Sequence, residues 1–288
     1  MARRECGLIL FLVWVMIGAG SAGAEGGGSD VAVRTRGLAH QRFYVSFDKT
    51  TMADFAEGLE WPLAEGAIEL DKHGRAGAAL RFGASGKSAQ LFYDGPGNIH
   101  PARGACALWY RPDGEEGGQP YVRRDLIGAS TALEGYWGCV MRWGERVTSG
   151  RAPLTDCYAS LFDGGHGLRL AAHKAAGRWR KGEWRHLAWV WDSRMGMKVY
   201  DNAELVASRW GVEHGWAETP DTPVKNLSIG MYGRDFRGGG STDFAIDEVR
   251  VFDAALDARA VAALFKGDFS AAMTLEPIPA EATARTLE

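Results

Sequence analysis

Two carboxylates held about 5 Å apart are what a retaining glycosidase requires, and on a strand that spacing falls to residues i and i+2 or i+4 on one face. Glu69-Leu70-Asp71 begins such a pattern, but Lys72-His73-Gly74 breaks its continuation. Asp247 and Glu248 are neighbours, and regular strand alternation sends neighbours to opposite faces. The histidines, His40, His73, His100, His166, His173, His186 and His214, show no H-E-x-x-H or comparable metal spacing. His186 lies in an apolar run, where a histidine is more often a hydrogen-bonded packing residue than a catalyst. No G-x-S-x-G elbow, P-loop or dinucleotide fingerprint occurs, and Gly238-Gly239-Gly240-Ser241 reads as a plain loop. These residues assemble no catalytic constellation, so the chain reads as a non-enzyme.

The elements that would position any site read as β-strands. Across Trp184–Trp191 the residues Trp184, His186, Ala188 and Val190 alternate with Arg185, Leu187, Trp189 and Trp191, and apolar side chains dominate both faces. That suits a strand buried within a two-sheet sandwich. Met197–Tyr200 and Glu204–Ala207 flank Asp201-Asn202-Ala203, a tight turn in which Asp and Asn tolerate positive φ. Further strands are expected at Arg42–Phe47, Gly77–Gly83, Ala89–Tyr93, Cys106–Pro112, Asp125–Ala129, Tyr158–Asp163, Gly167–His173, Leu227–Gly230 and Ala245–Phe252. Asp257–Phe265 is a short helix that Asp257 caps and Gly267 ends. Eleven Trp and 39 Gly fit aromatic-packed, turn-rich β structure better than a helical bundle.

Several of these segments, in order, resemble the laminin-G-like jelly rolls of the concanavalin A-like lectin/glucanase superfamily. Gly182-Glu183-Trp184 with His186 and then Tyr200–Ser208 is similar to that family's "GEW-H" strand and "YVNGELVAS" hairpin, with Asn202-Ala203 where the hairpin Gly is usual. Arg42–Asp48 is similar to "hydrophobic-x-F-D-G", Gly77–Gly83 to "GKALRFDG", Cys106–Pro112 to "hydrophobic-S-A-W-V-K-P", and Ile246–Phe252 to "IDEVRVY". The resemblance implies one antiparallel two-sheet jelly-roll sandwich over residues 41–267, closed by the short helix. It also implies a structural Ca²⁺ held by Asp48 and Asp247, completed by backbone carbonyls and water because calcium takes six to eight oxygens. The alternative is that Asp48 caps a turn and Asp247 pairs with an arginine such as Arg250.

The family includes glycan-binding and adhesive domains, so the resemblance implies a recognition module. Carbohydrate is the first ligand class, an extracellular or cell-surface protein the second, and a glycan-active enzyme the third. Sugar sites present aromatic rings beside hydrogen-bonding side chains. Aromatic residues outside the family's core strands include Trp137, Trp143, Trp210, Trp216 and Tyr232, with Arg234 among the polar groups around them. Their alternative role is to pack the inserted loops.

Charge and address complete the reading. The net charge is −3 with no dense basic stripe, which argues against nucleic acid and anionic membrane. Met1-Ala2-Arg3-Arg4, the apolar run from Gly7 to Gly20 and Ala22-x-Ala24 read as a signal peptide over residues 1–24. An exported chain with no membrane span after cleavage is expected. Residues 25–40 read as a flexible leader and 268–288 as a disordered tail. Export permits a disulfide, and Cys139–Cys157 would close a loop worth about 3 kcal/mol. Cys106 reads as a buried free thiol, although pairings through it are also open.

Overall fold

The computed structural model describes residues 38–65, 68–82, 90–113, 121–131, 140–148, 154–163, 166–173, 180–211, 224–230, 243–270 and 273–278. Within them lie two antiparallel sheets. The first runs β14 (Glu204–Trp210), β13 (Gly196–Asp201), β12 (Arg185–Asp192), β7 (Arg103–Pro112), β16 (Phe244–Phe252), β1 (Gln41–Val45) and β2 (Phe55–Ala56). β5 (Ala79–Phe82) pairs residues 244–246 of β16, and β4 (Glu69–Asp71) pairs β5. The second sheet runs β11 (His166–His173), β10 (Leu154–Asp163), β9 (Val140–Thr148), β8 (Tyr121–Thr131), β15 (Val224–Ile229), β6 (Gln90–Asp94) and β3 (Leu63–Glu65). This is the jelly-roll sandwich expected from the sequence.

The main core lies between the sheets. Val45, Leu108, Trp189, Trp191 and Val251 of the first meet Leu91, Ile127, Leu227 and Ile229 of the second. A second core lies on the outer face of the first sheet, where Ala105, Ala107, Ala188, Val190 and Phe252 pack beneath helix α1 (Ala258–Lys266) through Val261 and Leu264. β12 is apolar on both faces for this reason. Leu187, Trp189 and Trp191 face the opposite sheet, and Ala188 and Val190 face the helix. Trp184 falls outside β12 and is half-buried, with the Arg111 guanidinium 4.8 Å from its ring centre. The buried tryptophans of this segment are Trp189 and Trp191.

The ends of α1 follow the capping residues. Asp257 Oδ1 accepts from the Ala260 N–H at 2.9 Å, and Gly267 closes the helix at φ 69°. Of the segment expected as a disordered tail, residues 268–270 and 273–278 are described, and 273–278 dock on the sandwich. Met273 is buried in the second core, Leu275 bridges Leu256, and the Glu276 N–H donates to the Ala255 carbonyl at 2.8 Å. Glu276 also pairs with Lys198 at 2.6 Å. Leu38–His40, expected in the leader, likewise dock: Leu38 packs on the second core and the His40 carbonyl accepts from the Asp253 N–H at 2.9 Å. The folded unit therefore extends beyond residues 41–267 at both ends. Among the described residues no helix is long and apolar enough to cross a membrane.

Candidate functional site

β16 carries the polar residues of the site through a bulge. Its pairing with β7 slips between Asp247, opposite Trp109, and Arg250, opposite Ala107. Glu248 takes the extra position at φ 53°, in the left-handed region that non-glycine residues rarely enter. The slip breaks the alternation expected for adjacent carboxylates. Glu248 turns to the face that carries Arg250, where both its oxygens accept from Tyr44 OH at 3.0 and 3.1 Å. Arg250 Nη2 donates to Glu248 Oε2 at 3.3 Å and Nη1 to Gln41 Oε1 at 2.9 Å. The guanidinium lies 3.6 Å from the Tyr44 ring centre and 4.6 Å from that of Phe269. Arg250 is thus partnered by Glu248, not by Asp247.

Next to this network a cavity of about 180 Å³ opens between the outer face of the first sheet and the end of α1. The outward positions of β7 run Ala105, Ala107, Trp109, small under the helix and large beyond it. Where α1 stops at Gly267, the step between Ala107 and Trp109 leaves a recess. Its walls include Arg75, Trp109, His186, Glu248, Arg250 and Phe265. Trp109 stacks on Phe265 at 5.7 Å, meets His186 edge-on at 5.3 Å and carries the Arg75 guanidinium 4.4 Å from its ring centre. His186 is 2% exposed, and its Nδ1 has no hydrogen-bond partner among the described residues. Burial, then the nearby Arg250, lowers its pKa to about 3, so the ring is neutral. The chemistry on offer is an aromatic wall, a neutral imidazole and a cation over a ring, suited to holding a polar ring compound.

Asp48 and Asp247 meet on one turn. Asp247 Oδ2 accepts from the N–H groups of Arg75 and Ala76 at 2.7 and 3.0 Å, and its Oδ1 from Glu248 N–H at 2.8 Å. Asp48 Oδ1 accepts from Ala78 N–H at 3.1 Å. Burial pushes Asp247 up to about 7, with Glu248 adding to the rise against the three N–H bonds. As placed, the pair faces N–H donors where calcium requires oxygens, which is the surrounding of a loop clasp. Among the described residues no three His, Cys, Asp or Glu side chains converge as a metal site. The clasp holds the turn from which Arg75 reaches Trp109.

The other expected site residues fall differently. Trp137, Trp216, Tyr232, Arg234 and Cys139 lie outside the described residues. Trp143 sits in β9, opposite Ile127 and Ala159 in register. Trp210 ends β14, half-buried against the second core, with Lys198 Nζ 4.8 Å from its ring centre. The β9–β10 register sets Val140 against Phe162 and Glu145 against Cys157; the expected Cys139–Cys157 bridge rests on Cys139, outside the described residues. Cys106 is buried and free. Asp71, the second residue of the Glu69-x-Asp71 pattern, binds Arg111 at 2.6 Å and the His73 N–H at 2.9 Å. Burial opposes ionisation there, yet these bonds hold the carboxyl at about 2, as an ion-pair residue.

Sequence reasoning set Glu248 aside because regular alternation would send it and Asp247 to opposite faces, and passed over Trp109 because it sits inside a strand that matches a family core segment. The signal for Trp109 was the small-small-large run Ala105, Ala107, Trp109 on one face. Trp61, 64% exposed beside Leu59 and Leu63, was also passed over.

A family model described as the concanavalin A-like lectin/glucanases superfamily matches residues 85–262. No curated protein matches the chain. Among solved structures, the botulinum neurotoxin serotype D/C binding domain is similar at TM-score 0.57 and 14% identity, over 81% of this chain and 52% of that one. The binding domain of Paraclostridial Mosquitocidal Protein 1 is similar at 0.56 and 11%, over 81% and 52%. A Trypanosoma rangeli sialidase is similar at 0.52 and 14%, over 79% and 32%. The chain spans about half the length of the two binding domains. At these identities the likeness is one of fold.

Proposed function

The chain belongs to the concanavalin A-like lectin/glucanases superfamily, and from that premise we propose that it is a non-catalytic recognition module whose ligand is a carbohydrate. The observation that carries this reading is the cavity at Trp109, where an aromatic wall adjoins His186, whose buried Nδ1 has no hydrogen-bond partner among the described residues. Structural neighbours support it: cell entry of botulinum neurotoxin type C is described as dependent on interaction with two ganglioside molecules. Glu248 and Asp247, the nearest carboxylate pair, are engaged with Tyr44 and Arg250 and with the 75–76 turn, so neither is placed to act as acid or nucleophile. Export belongs to the same proposal and rests on the basic start, apolar run and Ala22-x-Ala24 of the leader. A glycan array probed with the full chain tests the reading. It expects a defined set of bound glycans that Trp109→Ala loses; an array without hits contradicts it.

A second reading, protein adhesion, is favoured by Leu59, Trp61 and Leu63, exposed 58%, 64% and 77% beside edge strand β3. A neighbouring toxin domain is described in complex with rat synaptotagmin II. Pull-down with Trp61→Ser as control distinguishes this surface from the cavity.

A further inference from the structure

We infer that the cavity selects a sugar bearing a carboxylate, such as a uronic acid ring, an inference that rests on the carbohydrate reading above. The charges around the cavity are not evenly paired. Glu248 is met by Arg250 and by the Tyr44 hydroxyl, and Arg250 also by Gln41. Asp247 is fully buried and turned onto the N–H groups of the 75–76 turn, and it is not among the lining residues. The cations left at the mouth are Arg75 and Lys266, both exposed and both lining the cavity. Among the described residues neither has a carboxylate within salt-bridge distance; Arg75 rests on the Trp109 ring. A planar guanidinium grips a carboxylate through two parallel N–H bonds. Arg75 swinging from the ring to such a group would uncover the Trp109 face for a pyranose.

The cavity floor adds an independent requirement. His186 lines the cavity, and its buried Nδ1 has no partner among the described residues. A sugar hydroxyl both donates and accepts, so it satisfies that nitrogen in either tautomer. The volume, about 180 Å³, is below the roughly 300–1,000 Å³ of sites that enclose drug-sized ligands. It therefore takes one terminal ring and leaves the rest of a glycan outside.

Calorimetric titration of the full chain with methyl β-glucuronide and methyl β-glucoside tests the inference. The acid is expected to bind about tenfold tighter or better at low salt, with the preference shrinking as salt rises. Arg75→Gln, at an exposed side chain, should keep the wild-type melting temperature and bind the two sugars alike, and Lys266→Gln should halve the preference or more. Equal or tighter binding of the glucoside overturns the inference and leaves the carbohydrate reading intact, as does a preference that survives in Arg75→Gln. Hits on a glycan array confined to neutral glycans do the same. An array without any hits overturns the reading beneath it.

Discussion

Glu248 shows how much one residue changes the site. With a regular strand, Asp247 and Glu248 would lie on opposite faces; the bulge at φ 53° puts Glu248 beside Arg250 and Tyr44. A left-handed non-glycine residue costs about 1–2 kcal/mol, offset here by hydrogen bonds to a charged group. Sequence alternation cannot reveal a bulge, so the polar network was illegible although Tyr44, Glu248 and Arg250 each lay in a recognised motif. Two residues nearby titrate in opposite senses. Asp247, raised to about 7, contributes stability below its unfolded pKa that is lost as pH rises through 7. His186, lowered to about 3, contributes stability above its unfolded pKa that is lost as pH falls from about 6.5 towards 3. The two offset each other between about pH 4.5 and 6.5. Denaturant titrations should therefore show His186→Phe losing stability as pH rises through 7, and Asp247→Asn losing it as pH falls below 6.5. Parallel pH profiles for wild type and both variants would refute these assignments.

At the scale of elements, the hairpin between β13 and β14 was legible in Asp201-Asn202-Ala203, but its turn type was not. Asn202 and Ala203 sit at φ 50° and 64°, with Asp201 opposite Glu204, so both central residues of a two-residue loop are left-handed. Asn tolerates this and Ala does not. Ala203→Gly should stabilise the chain by about 1 kcal/mol, read as a higher urea midpoint with unchanged slope; a lower midpoint would show the turn to be otherwise strained. β12 was legible as a buried strand from its two apolar faces, while the cover over the second face, α1, could not be assigned from local pattern. Trp189→Ala should cost about 3–5 kcal/mol, since the ring is fully buried. Trp210→Ala should cost much less, because the ring is half-buried and packs against the second core from outside it. Equal losses would mean that Trp210 is as deeply packed as Trp189.

For the whole molecule, the order of several weak motifs was enough to read the sandwich, because each marks a strand whose neighbours the topology determines. The docking of residues 273–278 was hidden, since Met273, Leu275 and Glu276 are scattered among Ala and Pro and only the finished helix and β13 give them partners. The clasp of Asp48 and Asp247 on the 75–78 turn ties β16 and the segment after β1 together through N–H bonds. The melting temperature should accordingly be the same in calcium and in EDTA; a drop in EDTA that Asp247→Asn abolishes would instead make the pair a calcium site. That the cavity at Trp109 recognises carbohydrate is tested most directly by following the tryptophan indole N–H resonances of the full chain while adding a glycan that it binds. The Trp109 signal, identified by its loss in Trp109→Phe, should shift with saturation at one equivalent. Shifts confined to Trp137 or Trp216, with Trp109 unmoved, would contradict the account and place the ligand elsewhere.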